Sequence, residues 1–227
     1  MNISGSGTIA AGEYNEEIHI SGSGHIGGAV RCTKLSCSGS AKVDGDLDVT
    51  GDISAAGALS VHGNVCAGGQ CKMSGAVKID GDIKANTLNN AGSVKIGGGI
   101  EAETVVVHGC LNCGGLLNAE NVEIKFEDGG HAAAVGGGKI TICRKGKQQK
   151  RAFRLPLFKR IAAQSCDLFT VDESIEGDTV AVEYVSANTV TGRVVAIGEG
   201  CEIGTVRYSE EVEISPDANV EHVEKEG

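Results

Sequence analysis

Ser38-Gly39-Ser40-Ala41-Lys42-Val43-Asp44-Gly45-Asp46-Leu47 returns two repeats later as Ser74-Gly75-Ala76-Val77-Lys78-Ile79-Asp80-Gly81-Asp82-Ile83. Each copy holds two glycines six residues apart. The same pair recurs as Gly22/Gly28, Gly39/Gly45, Gly57/Gly63, Gly75/Gly81, Gly92/Gly98 and Gly109/Gly115, in steps of 17, 18, 18, 17 and 17 residues. Gly5 lies 17 residues before Gly22, which places the start of the ladder at the N-terminus. A period in this range is the mark of a solenoid, in which each repeat buries its apolar side chains only by stacking on its neighbours.

The apolar residues keep phase with the glycines. Two and four residues past the first glycine of each pair stand Ala41/Val43, Leu59/Val61, Val77/Ile79, Val94/Ile96 and Leu111/Cys113. Eight and ten past it stand Val30/Cys32, Leu47/Val49, Val65/Ala67, Ile83/Ala85, Ile100/Ala102 and Leu117/Ala119. A third pair includes Leu35/Cys37, Ile53/Ala55, Cys71/Met73, Val105/Val107 and Val122/Ile124. Apolar-x-apolar is strand alternation, two side chains inward and one outward, and no helix stripe follows from it. Three such units per repeat, with glycine or a small polar residue at the corners, predict a three-sided parallel β-helix of 17–18 residues per rung. A flexible glycine linker would not hold this register.

The composition agrees. The chain has 35 glycines, 2 prolines, 3% aromatics and no tryptophan, so its core is built from small aliphatic side chains and cysteine. No apolar run reaches the roughly 18–20 residues of a membrane span, and no secretory signal opens the sequence. Nine cysteines in that setting are expected to be free thiols in a reducing cytoplasm. A net charge of −10 argues against broad nucleic-acid binding.

The ladder is legible over 1–125 and loses its register after Ile124. The stretch 126–173 reads as an insert, with a strand at Lys139-Ile140-Thr141-Ile142-Cys143 and then a basic run. A second, shorter solenoid block is expected over 174–223, on the 17-residue spacings of Val180, Ile197 and Ile214, of Ile203 and Val220, and of Thr189, Val206 and Val223. Residues 224–227 read as an acidic, solvated tail. Within the insert, Lys150, Arg151, Arg154, Lys159 and Arg160 alternate with Phe153, Leu155, Leu157 and Phe158. This segment is a candidate for docking on anionic lipid or a partner, or for lying over the solenoid's C-terminal edge.

Catalytic and metal chemistry finds little support in the pattern. Cys110-Leu111-Asn112-Cys113 has CxxC spacing, but Cys113 takes a core position while Cys110 points elsewhere. Cys32, Cys37 and Cys71 also fall on core positions. The six histidines share no common position in successive rungs. Asp44/Asp46 and Asp80/Asp82 lack the glycine-rich nonapeptide of calcium-binding solenoids and read as solvated corner charges. A hexapeptide-type acyltransferase also has rungs of about 18 residues. It favours one large inward residue per hexapeptide rather than the inward pairs found here. No catalytic residue, metal or cofactor is therefore expected.

The passages Ser36–Leu47 and Met73–Ile83 resemble the bactofilins, polymer-forming bacterial cytoskeletal proteins, over residues 3–124. Ile175-Glu176-Gly177-Asp178 and Ile197-Gly198-Glu199-Gly200-Cys201-Glu202-Ile203 are similar to the longer, two-block members of spore-forming Gram-positive bacteria. The resemblance implies a right-handed three-sided β-helix that assembles end to end without nucleotide, often beneath the membrane. It implies a non-enzymatic cytoplasmic scaffold whose partners are further copies of itself, a related scaffold protein or the inner membrane surface, and not nucleic acid. Open strand edges on a terminal rung are the physical template for such growth. Ile3, Ile9, Ile18 and Ile20 are the candidates for the N-terminal contact. The alternatives are the acyltransferase and a discrete dimeric adaptor.

Overall fold

The computed structural model describes residues 1–145 and 168–226. Among the described residues 74% are strand and none is helical, and the others are little more than corners between strands of a parallel β-solenoid of about 12 turns. Every strand pair is parallel and successive turns stack in register on three faces. The first face carries one inward column through the whole molecule: Ile18, Leu35, Ile53, Cys71, Leu88, Val105, Val122, Ile140, Val180, Val195 and Val212. The second runs from Ser6–Ile9 through Ser23–Ile26, Ser40–Val43, Ala58–Val61 and Ala76–Ile79. The third runs from Gly12–Glu13 through Val30–Cys32 and Leu47–Val49.

The inward members of these columns make one continuous core of small aliphatic side chains. Each large one stabilises by about 1.5–3 kcal/mol when fully buried. The inward pairs expected from the ladder are buried, apart from Ala102, which is only partly covered. The rung above Met73 was not paired by the sequence reading. Its inward residues are Leu88 and Asn90, and Asn90 is the one buried polar residue among those described. Asn90 stays there because its amide donates to the Gly92 and Cys110 carbonyls at 3.1 and 3.3 Å while its oxygen accepts from Gly92 N–H at 3.0 Å.

The first glycine of each pair is required by contact rather than by dihedral. A Cβ on Gly57 would lie 1.8 Å from the Gly39 carbonyl oxygen, and one on Gly75 would lie 1.9 Å from that of Gly57. Rungs of 17 and 18 residues coexist because the difference is absorbed at a single corner. Cys32 faces Val49 but Leu35 faces Ile53, so Gly51-Asp52 carries the added residue. At Gly68-Gly69 the longer corner meets Asn86 and the count falls back.

The structure departs from the expected loss of register. Gly130–Arg144 is a full rung stacked on Cys110–Phe126, with Asn112 opposite His131 and Ile124 opposite Ile142. Phe169–Val182 stacks on that rung in turn, Ile140 opposite Val180 and Ile142 opposite Val182. Lys145 and Leu168 flank one corner of the stack, so the two solenoid blocks are one stack. Phe126 reads in sequence as the breakdown of the pattern. It is instead fully buried against Phe169, ring centroids 5.8 Å apart. Room comes from Gly130, where a Cβ would lie 2.7 Å from the Phe169 ring.

Of the 17-residue spacings beyond the excursion, two steps are corrected: Val180 faces Val195 rather than Ile197, and Thr189 faces Thr205 rather than Val206. Ile197 faces Ile214, Val206 faces Val223 and Ile203 faces Val220 as expected. The first rung after Phe169–Val182 is shorter than the repeat, and the alternation inside each strand hides the slip. The chain's end is also strand: Asn219–Lys225 pairs on Glu202–Ile214, so Glu224 and Lys225 belong to the last rung rather than to a tail.

Candidate assembly and docking surfaces

Among the described residues, the first and last turns have neighbours on one side only. At the N-terminal turn the carbonyls of Met1, Ile3, Gly5 and Ile9 accept from His19, Ser21, Ser23 and Gly27 at 2.8–3.0 Å. Alternate residues of a parallel strand bond to opposite neighbours, so Ser6 and Thr8 present their backbone groups to the open side. Of the four isoleucines expected at this contact, Ile9, Ile18 and Ile20 are buried, at 3%, 0% and 0% exposure. Their inward positions are roofed by the adjoining rungs. Ile3 alone is partly uncovered, packed against the core from its end. The accessible surface here is backbone edge and Ile3. At the other end Val212, Ile214 and Val220 are only partly covered and Val223 is 49% exposed.

The candidate docking cations Lys150, Arg151, Arg154, Lys159 and Arg160 lie outside the described residues. At the base of that segment Arg144 stands over the Tyr184 ring at 5.6 Å and Lys145 pairs with Glu127 at 2.6 Å.

Among the described residues, five thiols are buried, Cys110 and Cys143 are half-buried and Cys66 is exposed. Cys113 is fully buried and donates to the Gly98 and Gly115 carbonyls at 3.4 Å, while Cys110 is half-buried on the other side of the strand. Burial pushes the Cys113 thiol up, and the Cys71 thiol up to about 12. Neither is a thiolate near neutrality, the form that attacks or binds metal.

The corner carboxylates do more than sit in solvent. Asp46 Oδ1 accepts from Asn64 N–H at 2.7 Å, Asn64 Oδ1 from Asp82 N–H at 2.9 Å, and Asp82 Oδ1 from Gly99 N–H at 2.7 Å. They form a side-chain ladder tying four consecutive rungs. Its trace in the sequence is an Asp or Asn seven residues past the first glycine in three successive rungs. Asp44 instead gathers Lys42 at 2.8 Å, His25 at 2.6 Å and His62 at 3.4 Å. The Lys42 bond, then the His25 bond, hold its carboxyl down at about 2.

The sequence reading passed over the acidity of the last rungs. Residues 1–145 contain 11 Lys/Arg and 15 Asp/Glu, whereas 168–226 contain 3 and 14. On the first face of this acidic part a trough of about 510 Å³ is lined by Thr141, Ala181, Ala196, Glu183, Gly198 and Glu213. Thr141, Ala181, Ala196 and Glu213 are successive outward neighbours across four rungs. Small side chains form the floor and carboxylates the rim.

No family model and no solved structure matches the chain. A 95-residue stretch is 32% identical to the Bacillus subtilis (strain 168) protein YhbF, which is described as uncharacterized. The match covers 42% of this chain and 34% of YhbF, so the chain spans about a third of the length of the curated relative it matches. None of the described residues forms a helix long and apolar enough to cross a membrane.

Proposed function

We propose that this chain is a non-catalytic, bactofilin-like scaffold that self-assembles through its terminal rungs and holds partners at the inner face of the cell membrane. One observation carries the reading: a parallel stack unbroken over about 12 turns, with strands at both ends that pair on one side only among the described residues. A strand edge of this kind offers hydrogen-bonding groups in a fixed register, and a second copy satisfies them with the same ladder that holds the rungs together. Burial of Ile3 at one end and of Val220 and Val223 at the other adds apolar area to the joint. Among the described residues, Cys32, Cys37, Cys71, Cys113 and Cys201 are packed in the core, and His25, His62, His108 and His131 stand in ion pairs with Asp44, Glu123 and Asp172.

Thr8→Pro removes one open-edge N–H from the first turn and leaves the bonds to the second turn in place. Sedimentation velocity of the full chain is expected to show large assemblies, reduced to small species by Thr8→Pro with an unchanged circular dichroism spectrum. Assemblies that persist unaltered in Thr8→Pro would remove the terminal-rung mechanism.

A further inference from the structure

Four successive rungs of the first face set their outward side chains in two columns. Lys139, Thr179, Val194 and Glu211 form one, and Thr141, Ala181, Ala196 and Glu213 the other. The two middle rungs are uncharged, and their four side chains are small and half-buried. Ala181 and Ala196 floor the trough of about 510 Å³. Charge lies at the ends, with Lys139 exposed on the first rung and Glu211 and Glu213 exposed on the last. Other charges of this face are paired close by, Lys34 with Glu17 at 3.6 Å and Lys125 with Glu123 at 2.5 Å. Lys139, Glu211 and Glu213 have no ionic partner among the described residues. Three rung spacings of about 4.8 Å hold the lysine about 14 Å from the glutamates of its own chain, too far for an ion pair.

We infer that this patch is a lateral interface with a second copy of the chain, related by a two-fold axis at the centre of Thr179, Ala181, Val194 and Ala196. Such an axis reverses both rung order and strand direction, so one patch meets itself end for end. Lys139 then stands against Glu213 of the second copy and Thr141 against its Glu211. Thr179 meets Ala196, and Ala181 meets Val194. Each joint closes two Lys139–Glu213 ion pairs and lets two Thr141 hydroxyls donate to Glu211. The centre holds only small side chains, which lets two flat sheets approach to about 10 Å or less. Charge selects this occupant. A basic partner would satisfy the glutamates and be repelled by Lys139, an acidic one the reverse, whereas a second copy satisfies both ends. The patch is smaller than a standard interface, so single chains pair weakly, and the contact strengthens where several copies lie side by side. The two solenoids run antiparallel and touch away from their terminal edges. The interface therefore does not rest on end-to-end assembly.

Zero-length carbodiimide cross-linking of concentrated full chain, in a mixture of isotopically light and heavy protein, tests the assignment by mass spectrometry. Lys139 is expected to couple to Glu213 or Glu211 between chains. Charge reversal at these exposed positions sharpens the test without touching the core. Lys139→Glu alone sets carboxylates against carboxylates, and Glu213→Lys alone sets lysine against lysine. Each is expected to lower coupling between positions 139 and 213 by about tenfold or more. Mixing the two variants restores opposite charges at both pairs of the joint and should restore the coupling. The same couplings are expected in the Thr8→Pro chain, so the scaffold reading and this interface fail separately. Lys139 coupling only within its own chain or only to other carboxylates would overturn the inference. So would variants that couple as the parent does, or a mixture that stays uncoupled.

Discussion

The turns before Phe126 and those after it solve the same corner differently. Between the first and second faces, the earlier turns use a column of glycines, Gly22 to Gly109, held by carbonyl contact from the rung below. The later turns use left-handed residues at the corresponding bend: Gly129 at φ 79°, Tyr184 at 55° and Gly200 at 69°. A contact-limited corner tolerates one residue type, and the small differences of rung length are absorbed at another corner. A dihedral-limited corner accepts Tyr184, whose hydroxyl donates to Glu199 at 2.8 Å, and adjoins rungs of varied length. Repetition is therefore strict in one region and loose in the other, although both build the same three faces.

The largest effect that separates the regions is expected at Phe169. Phe169→Ala empties a fully buried site beside Phe126 and should destabilise the later turns by about 3–5 kcal/mol. Hydrogen exchange should accelerate in residues 130–226 and stay slow over 23–113, since solenoid turns are coupled mainly to their neighbours. Uniform acceleration would make the two regions one cooperative unit.

The corners themselves give the next contrast. Gly57→Ala forces a Cβ into the Gly39 carbonyl and should destabilise by about 3 kcal/mol or more. Gly200→Ala places alanine in the left-handed region and should destabilise by about 1–2 kcal/mol; its Cβ also meets the Tyr184 ring, a side chain that can turn aside. Equal losses in denaturant titrations would erase the distinction between the two corners.

Asn90→Ala sharpens the account of the strict region, because it strands the groups of Gly92 and Cys110 that the amide satisfies. The expected loss is about 1–3 kcal/mol in chemical unfolding. A neutral Asn90→Ala would mean that the amide is only filling space.

The smallest effect is a titration. Asp44 has its folded-state carboxyl lowered to about 2, chiefly by the Lys42 bond and then by that of His25. Its contribution is therefore complete above the ordinary carboxylate range and is lost as pH falls through about 2. An NMR titration of the Asp44 carboxyl should show that midpoint, and Lys42→Ala should raise it. A midpoint that does not move would assign the shift to another source.

Legibility in the sequence followed the same division. Gly22 to Gly109 and the inward pairs around them sit at fixed distances, so period, faces and most core positions of 1–125 could be read directly. Beyond Phe126 the inward alternation survives while rung length varies. Val180 thus looked like the partner of Ile197, although it faces Val195. Two phenylalanines replaced the usual small residues, and an excursion at one corner looked like the end of a block. The assembly surface was legible as a principle and not in its residues. Ile18 and Ile20 follow the inward alternation that buries them, and the free groups belong to backbone. The acidic trough escaped because it joins Thr141 to Glu213 across four rungs whose spacing had been misjudged.

Negative-stain electron microscopy of the full-length protein tests the central claim most directly. About 12 turns at about 4.8 Å each give an axial length of about 58 Å per chain. The account predicts unbranched filaments with an axial repeat of about 58 Å, or twice that if neighbours meet end to like end. Uniform particles the size of one or two chains, at low and physiological salt alike, would contradict it and leave a discrete adaptor in place of a polymer.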